Sequence, residues 1–198
     1  MPISATRRMM AGGGGTGARG IKFTPDANTV LWLPGQDDAY SGTIRDRSGF
    51  SNNGTITGAV WIRLPSGLWY LSFDGTDDKV TIVASASLLL GSGDFTLEFW
   101  VYKTALTDAE YLMGTASATK DVYLSGTAGA IKIDLEGATT VTSNDGLLVI
   151  NTHILLGIVR SGDDCIIYKN GAVFQTAASG FASGDNTTSE DLILGYNS

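Results

Sequence analysis

Gly93-Asp-Phe-Thr-Leu-Glu-Phe-Trp-Val-Tyr102 decides the fold. Phe95, Leu97, Phe99 and Val101 fall at alternate positions and form one fully apolar face, which has to be covered by another layer. Thr96, Glu98, Trp100 and Tyr102 form the other, two aromatics beside a carboxylate, an odd mixture for a face meant only to meet water. A helix would smear the apolar set around its circumference, so the segment is a strand. The centre of the fold is therefore a sheet, and function turns on what meets its second face.

The 198 residues can bury one sizeable core, and 26 glycines, abundant Ser and Thr, and short apolar runs between turn signals point to one all-β domain. No window of 18 apolar residues exists for a membrane-spanning helix. Residues 1–22 hold Arg7, Arg8, Arg19 and Lys22 with no acid and end in AGGGGTGARG, a flexible basic arm by composition. The four leave nine basic against twenty acidic residues in 23–198, a formal charge of −11 against −7 for the whole chain. So acidic a body argues against nucleic acid as its partner. MPISATRRMM lacks the apolar core of a signal peptide. Gly15, Gly17 and Gly20 fit a dinucleotide fingerprint by spacing alone, with no strand before it. Cys165 has no cysteine to pair with and reads as a small strand residue of the core.

Outward from the central strand, the pattern predicts strands at Thr29–Leu33, Thr55–Ile62, Gly67–Phe73, Lys79–Val83, Tyr111–Gly114, Val122–Leu124, Ala130–Leu135, Thr139–Thr142, His153–Arg160, Cys165–Lys169, Ala172–Gln175 and Leu192–Gly195. A polar loop, 36–54, separates the first two, and Leu88–Leu90 is a short apolar segment. Asn170–Gly171 is the strongest hairpin signal, because both turn positions must accept positive φ. Without a helix or an internal repeat, these pieces make an antiparallel two-sheet β-sandwich or jelly roll.

Four motifs resemble the laminin-G-like branch of the concanavalin A-like lectin/glucanase superfamily: Asp46-Arg-Ser-Gly-Phe-Ser-Asn-Asn-Gly54, Leu71-Ser-Phe-Asp-Gly-Thr-Asp-Asp-Lys-Val80, Ser92-Gly-Asp-Phe-Thr-Leu-Glu-Phe-Trp-Val101 and Ile166-Ile-Tyr-Lys-Asn-Gly171. The resemblance spans most of 28–195 and implies two curved antiparallel sheets that bind glycans or proteins, often with calcium. There are two departures. The family has a Trp just before the histidine that matches His153, where this chain has Asn151 and Thr152. The family also closes its sandwich with one strand more than the one matching Leu192–Gly195. The sequence stops at Ser198, so the arm, a neighbouring chain or a longer chain is expected to fill that slot.

Three kinds of chemistry are weighed. For calcium, Asp74, Asp77 and Asp78 share one turn, Asp74 and Asp78 being the favoured ligands; Asp46, Asn52 and Asn53 share another loop. Asp and Asn are also ordinary turn formers. For sugars, Trp100 and Tyr102 offer ring faces and Glu98 a directional partner, with Trp61, Trp69 and Tyr123 as possible neighbours. Trp32, Trp61, Trp69 and Trp100 all sit inside strand patterns, and for each taken singly the favoured reading is that it fills the core. For hydrolysis, Ile131-Lys-Ile-Asp-Leu-Glu136 places Asp134 and Glu136 as a glucanase acid pair would be, but Lys132 replaces the first acid of that motif, and a turn follows at once. His153 alone supports no nucleophilic triad. The sequons at Asn53 and Asn186 are incidental without an export signal.

The expectation is a non-enzymatic, lectin-like module on a phage or virus particle, extracellular, holding a glycan or cell-surface receptor. It would assemble with sister chains or other virion proteins through the arm and an open sheet edge. A structural subunit that binds no sugar is the alternative, and a glycan hydrolase is third.

Overall fold

The structure, a computed structural model, describes residues 24–116, 120–135, 140–181 and 189–195. The arm 1–22, Glu136 with its Glu136–Gly137 turn and the Asn186 sequon lie outside the described residues. The described residues hold fourteen strands: β1 (Thr43–Ile44), β2 (Gly54–Thr57), β3 (Val60–Arg63), β4 (Trp69–Ser72), β5 (Lys79–Ile82), β6 (Phe95–Tyr102), β7 (Tyr111–Thr115), β8 (Lys120–Ser125), β9 (Ala130–Leu135), β10 (Val141–Thr142), β11 (His153–Ser161), β12 (Asp164–Lys169), β13 (Ala172–Ala177) and β14 (Leu192–Leu194). One 3-10 turn, Ala86–Leu88, buries Leu88 where the apolar run 88–90 was expected.

An eight-stranded sheet, in the order β1-β2-β5-β14-β7-β8-β9-β10, faces a four-stranded sheet, β13-β12-β11-β6. Every strand pairing is antiparallel, as the turn-rich sequence implied. The two inner faces meet in one cluster. From the small sheet come Leu97, Val101, Ile154, Leu156, Ile158, Cys165 and Ile167. From the large one come Ile82, Met113, Val122, Leu124, Ile131, Ile133 and Leu192. Alternation along each strand supplies these sets. The fold is the expected two-sheet sandwich of jelly-roll kind.

Three details differ from the sequence pattern. Thr29–Leu33 joins no ladder; Val30 and Leu31 are buried, while Trp32 N–H donates to the Asp46 side chain (2.9 Å) and its carbonyl accepts from Arg47 N–H (2.9 Å). The Asp46 carboxylate and the Arg47 backbone N–H thus stand where a strand neighbour would. The run 55–62 divides into β2 and β3 at Gly58, where φ is +76° and a Cβ would lie 1.9 Å from Asp78 Oδ1. Only a residue without a side chain lets that buried carboxylate sit against the chain. β3 leaves the large sheet there and pairs with β4 as a separate ribbon. No tryptophan is fully buried: the core is aliphatic around Phe95 and Phe181, whose rings lie 5.7 Å apart.

β6 ends the four-stranded sheet, so among the described residues its outer edge has no strand partner. Asn170 (φ +53°) and Gly171 (φ +83°) make the expected positive-φ turn and lock β12 to β13.

Candidate functional site

The register between β6 and β11 builds the outer face of the small sheet. Tyr102 stands opposite His153, Trp100 opposite Leu155, Glu98 opposite Gly157 and Thr96 opposite Val159. β12 continues the rows, with Tyr168 opposite Gly157 and Ile166 opposite Val159. Opposed residues share a face, so Trp100, Tyr102 and Glu98 lie together, as parity required. Trp100 is 37% exposed and Tyr102 44%. The Tyr102 ring leans on His153, centroids 4.7 Å apart and planes at 40°, and its hydroxyl donates to Asn151 Oδ1 at 3.4 Å.

Beside this aromatic row is an open depression of about 250 Å³, lined by Thr96, Glu98, Leu155, Gly157, Val159, Tyr168 and Gly171. Gly157 forms its floor. A Cβ there would come within 3.3 Å of Tyr168 Cβ, so glycine lets the tyrosine stand close while keeping the floor low. The arrangement offers ring faces for apolar C–H surfaces and a carboxylate for hydroxyls.

Sequence reasoning missed His153, Leu155, Gly157 and Tyr168 as members of this face. Two signals could have found them: a glycine interrupting the apolar run of β11, and the Asn170–Gly171 turn, which fixes which β12 residues point outward. The expected neighbours lie elsewhere. Trp61 and Trp69 belong to the β3–β4 ribbon. On β8, Val122 and Leu124 point into the core, so Tyr123 faces outward from the large sheet, on the opposite side of the sandwich, stacked on Tyr111 at 4.9 Å.

No family model matches the sequence, and no curated protein does. Solved structures do. The chain matches domain 4 of AbnA, a GH43 extracellular arabinanase from Geobacillus stearothermophilus, in complex with arabinotriose, with TM-score 0.58, 16% identity and coverage of 77% of this chain and 78% of that one. It also matches botulinum neurotoxin type C, in a structure concerned with cell entry through two ganglioside molecules (TM-score 0.56, 14% identity, 78% of this chain, 40% of that one). The receptor-binding domain of botulinum neurotoxin D is similar at TM-score 0.56 and 12% identity, over 77% of this chain and 41% of that one. The chain thus spans about two fifths of the neurotoxin structures. The likeness is one of fold.

The two calcium candidates separate. Asp74, Asp77 and Asp78 converge, with one carboxylate oxygen from each within 4.8 Å of the others. Asp78 Oδ2 accepts Asp74 N–H (2.9 Å) and Asp74 Oδ1 accepts Thr76 N–H (2.8 Å), which leaves each a second oxygen. That turn could hold a metal ion. The Asp46 loop does not fit one. Asp46 accepts from Trp32 N–H, Ser48 N–H, Ser48 O–H and Asn52 N–H, at 2.7–2.9 Å, so both its oxygens are occupied. Asn53 accepts Asp46 N–H, and Asn52 donates to the Val30 carbonyl. These residues cap their own loop.

Asp134 lies on β9, directly across from Asp121 on β8. Asp121 is 2% exposed and accepts Thr115 N–H at 3.1 Å. Burial, with Asp134 and Glu190 adding to it, raises its pKa above the usual carboxylate range. The native state then holds this proton more tightly than the unfolded chain, so stability falls as pH rises from the unfolded pKa through the raised native one. At pH 7 the buried charge is a net cost. Asp121→Asn keeps the acceptor and removes the charge; it is expected to melt a few degrees higher at pH 7 and to lose its advantage near pH 4 or below. Thermal melts across that range check this. Cys165 is fully buried on β12, and desolvation pushes its thiol up to about 12, which makes it an inert core residue.

Proposed function

We propose that this chain is a non-catalytic, lectin-like module that holds a glycan across the outer face of its four-stranded sheet. The observation that carries this reading is the row of Trp100 and Tyr102 on the same face as the depression that Glu98, Gly157 and Tyr168 line. Sugar C–H faces stack on rings, while hydroxyls need directional acceptors at the margin. A domain of the same fold that carries arabinotriose in the arabinanase structure supports the ligand class. Membership in the laminin-G-like branch of the concanavalin A-like superfamily is part of the proposal. So is calcium on Asp74, Asp77 and Asp78, which would stabilise that turn; at a hundred times its Kd, calcium would add about 2.7 kcal/mol. A calcium-dependent rise in Tm that vanishes in Asp77→Ala is the expected result; identical melts with calcium and with EDTA would exclude the ion.

The proposed setting is extracellular, on a phage or virus particle, with residues 1–22 as the anchoring arm and residues 23–198 as the outward-facing domain. Host cell-surface glycans would be the ligands. The place of β6 at the end of its sheet among the described residues favours a second reading, a structural subunit that pairs that side with a sister chain or another virion protein and binds no sugar. A glycan array separates the two. Signal on a defined saccharide set, lost in Trp100→Ala, supports the lectin reading; an array at background supports the structural one.

A further inference from the structure

The β3–β4 ribbon carries an aromatic group that the sheet-face reading leaves unused. Asp38 C=O accepts Ser41 N–H at 2.9 Å and closes a turn whose third residue, Tyr40, has φ +68°. That position of such a turn ordinarily takes glycine, because a side chain there crowds the backbone. A bulky residue held in this conformation is a reason to look for a use. Tyr40 is 83% exposed, the most exposed large hydrophobic residue among the described residues. It stands edge-on to Trp69, centroids 5.0 Å apart.

Trp69 is fixed in turn. The Gln36 side chain acts as a neighbouring strand would: Trp69 N–H donates to Gln36 Oε1 at 2.9 Å, and Gln36 Nε2 donates to the Trp69 carbonyl at 2.8 Å. The Arg63 guanidinium lies over the Trp69 ring, 5.8 Å from its centroid. The other nearby charges cancel. Arg45 pairs with the buried Asp38, and Arg47 with Asp37 at 3.3 Å. Among the described residues no carboxylate lies within ion-pair distance of exposed Arg63. A positive spot therefore stands beside two aromatic rings, on a chain whose net charge is −7.

We infer that Tyr40, Trp69 and Arg63 form a second saccharide site, selective for sugars bearing a carboxylate. The exposed Tyr40 face takes the C–H surface of a pyranose. Arg63, a planar fork held by the indole, takes the carboxylate in two parallel hydrogen bonds. Tyr40 and Arg63 both contact Trp69, so one disaccharide can span them. A neutral sugar would leave the guanidinium unmet. An acidic sugar pairs with it where the body's other charges repel anions only weakly, since the neighbouring acids are already neutralised.

The test uses the full chain with trigalacturonate, 3′-sialyllactose and neutral galactotriose, read by saturation-transfer NMR and titration calorimetry. Either or both acidic sugars should bind, the two distinguishing uronic from sialic acids, and galactotriose should bind at least tenfold more weakly. Tyr40→Gly suits the turn's backbone, so the protein stays folded and binding drops about tenfold or more. Arg63→Gln should erase the preference for acid, and Trp100→Ala, which removes a ring of the sheet face, should leave that preference in place. This last variant separates the site from the sheet face, whose failure on the array would leave it standing. The inference is overturned if no acidic sugar binds in the millimolar range, if galactotriose binds equally well, or if Tyr40→Gly and Arg63→Gln bind as the parent does. Loss of the acid preference in Trp100→Ala overturns it too.

Discussion

Asp46→Ala is expected to lower the unfolding free energy by about 3–5 kcal/mol and the melting temperature by roughly 10–15 °C. The carboxylate gathers three backbone N–H groups and one hydroxyl, and through Trp32 N–H it ties the extended segment before the loop to the loop itself. Alanine leaves these donors without an acceptor. Val30 and Leu31, buried between the sheets, would lose the anchor that compensates for their lack of a ladder. Asp46→Asn keeps one acceptor oxygen and should lose about half as much. Urea unfolding of both variants, with and without EDTA, is the measurement. A loss in Asp46→Ala below about 1 kcal/mol, or one that EDTA reproduces in the parent, would show that the loop is not held in this way.

The second large effect concerns ligand binding. Gly157→Val and Trp100→Ala are both expected to weaken a sheet-face glycan by tenfold or more, for opposite reasons. Alanine at 100 takes away a ring face. Valine at 157 adds methyl groups to the floor of the depression and crowds Tyr168, whose Cβ is 3.3 Å from the new one. Neither change should unfold the domain. Trp100 is a surface residue, and residue 157 lies in a strand with no positive φ, so about 1 kcal/mol is the expected cost of the added bulk. Binding by calorimetry alongside thermal melts gives both numbers. If Gly157→Val binds normally while folded, the glycan does not enter the depression.

Much of the fold was legible because alternation survives in the strands that build the core. β6 presents one apolar parity, from which Phe95, Leu97 and Val101 are buried, and β9 alternates likewise with Ile131, Ile133 and Leu135 inside; β11 and β12 are apolar on both parities and were legible as strands without their facing. Tertiary partners decided the rest. Thr29–Leu33 has a strand's composition, yet the Asp46 carboxylate occupies the place of a strand neighbour. Gly58 breaks an apparently continuous strand because a buried carboxylate from 20 residues later lies against it. Of the candidate binding face, parity gave Glu98, Trp100 and Tyr102. His153, Leu155 and Tyr168 follow only from the register between strands far apart in sequence. Trp61 and Trp69 were unplaceable because the ribbon that carries them departs from the large sheet after Gly58.

The aliphatic core has a spectroscopic consequence. All four indoles, at Trp32, Trp61, Trp69 and Trp100, keep some contact with solvent. The folded protein should therefore emit between the wavelengths of a buried and of a free indole, and denaturation should move its maximum to the red by only part of the full range. Tryptophan emission will report melting with reduced amplitude yet stay sensitive to anything that settles on the surface: a blue shift on adding a sugar, abolished in Trp100→Ala, would report coverage of that one indole.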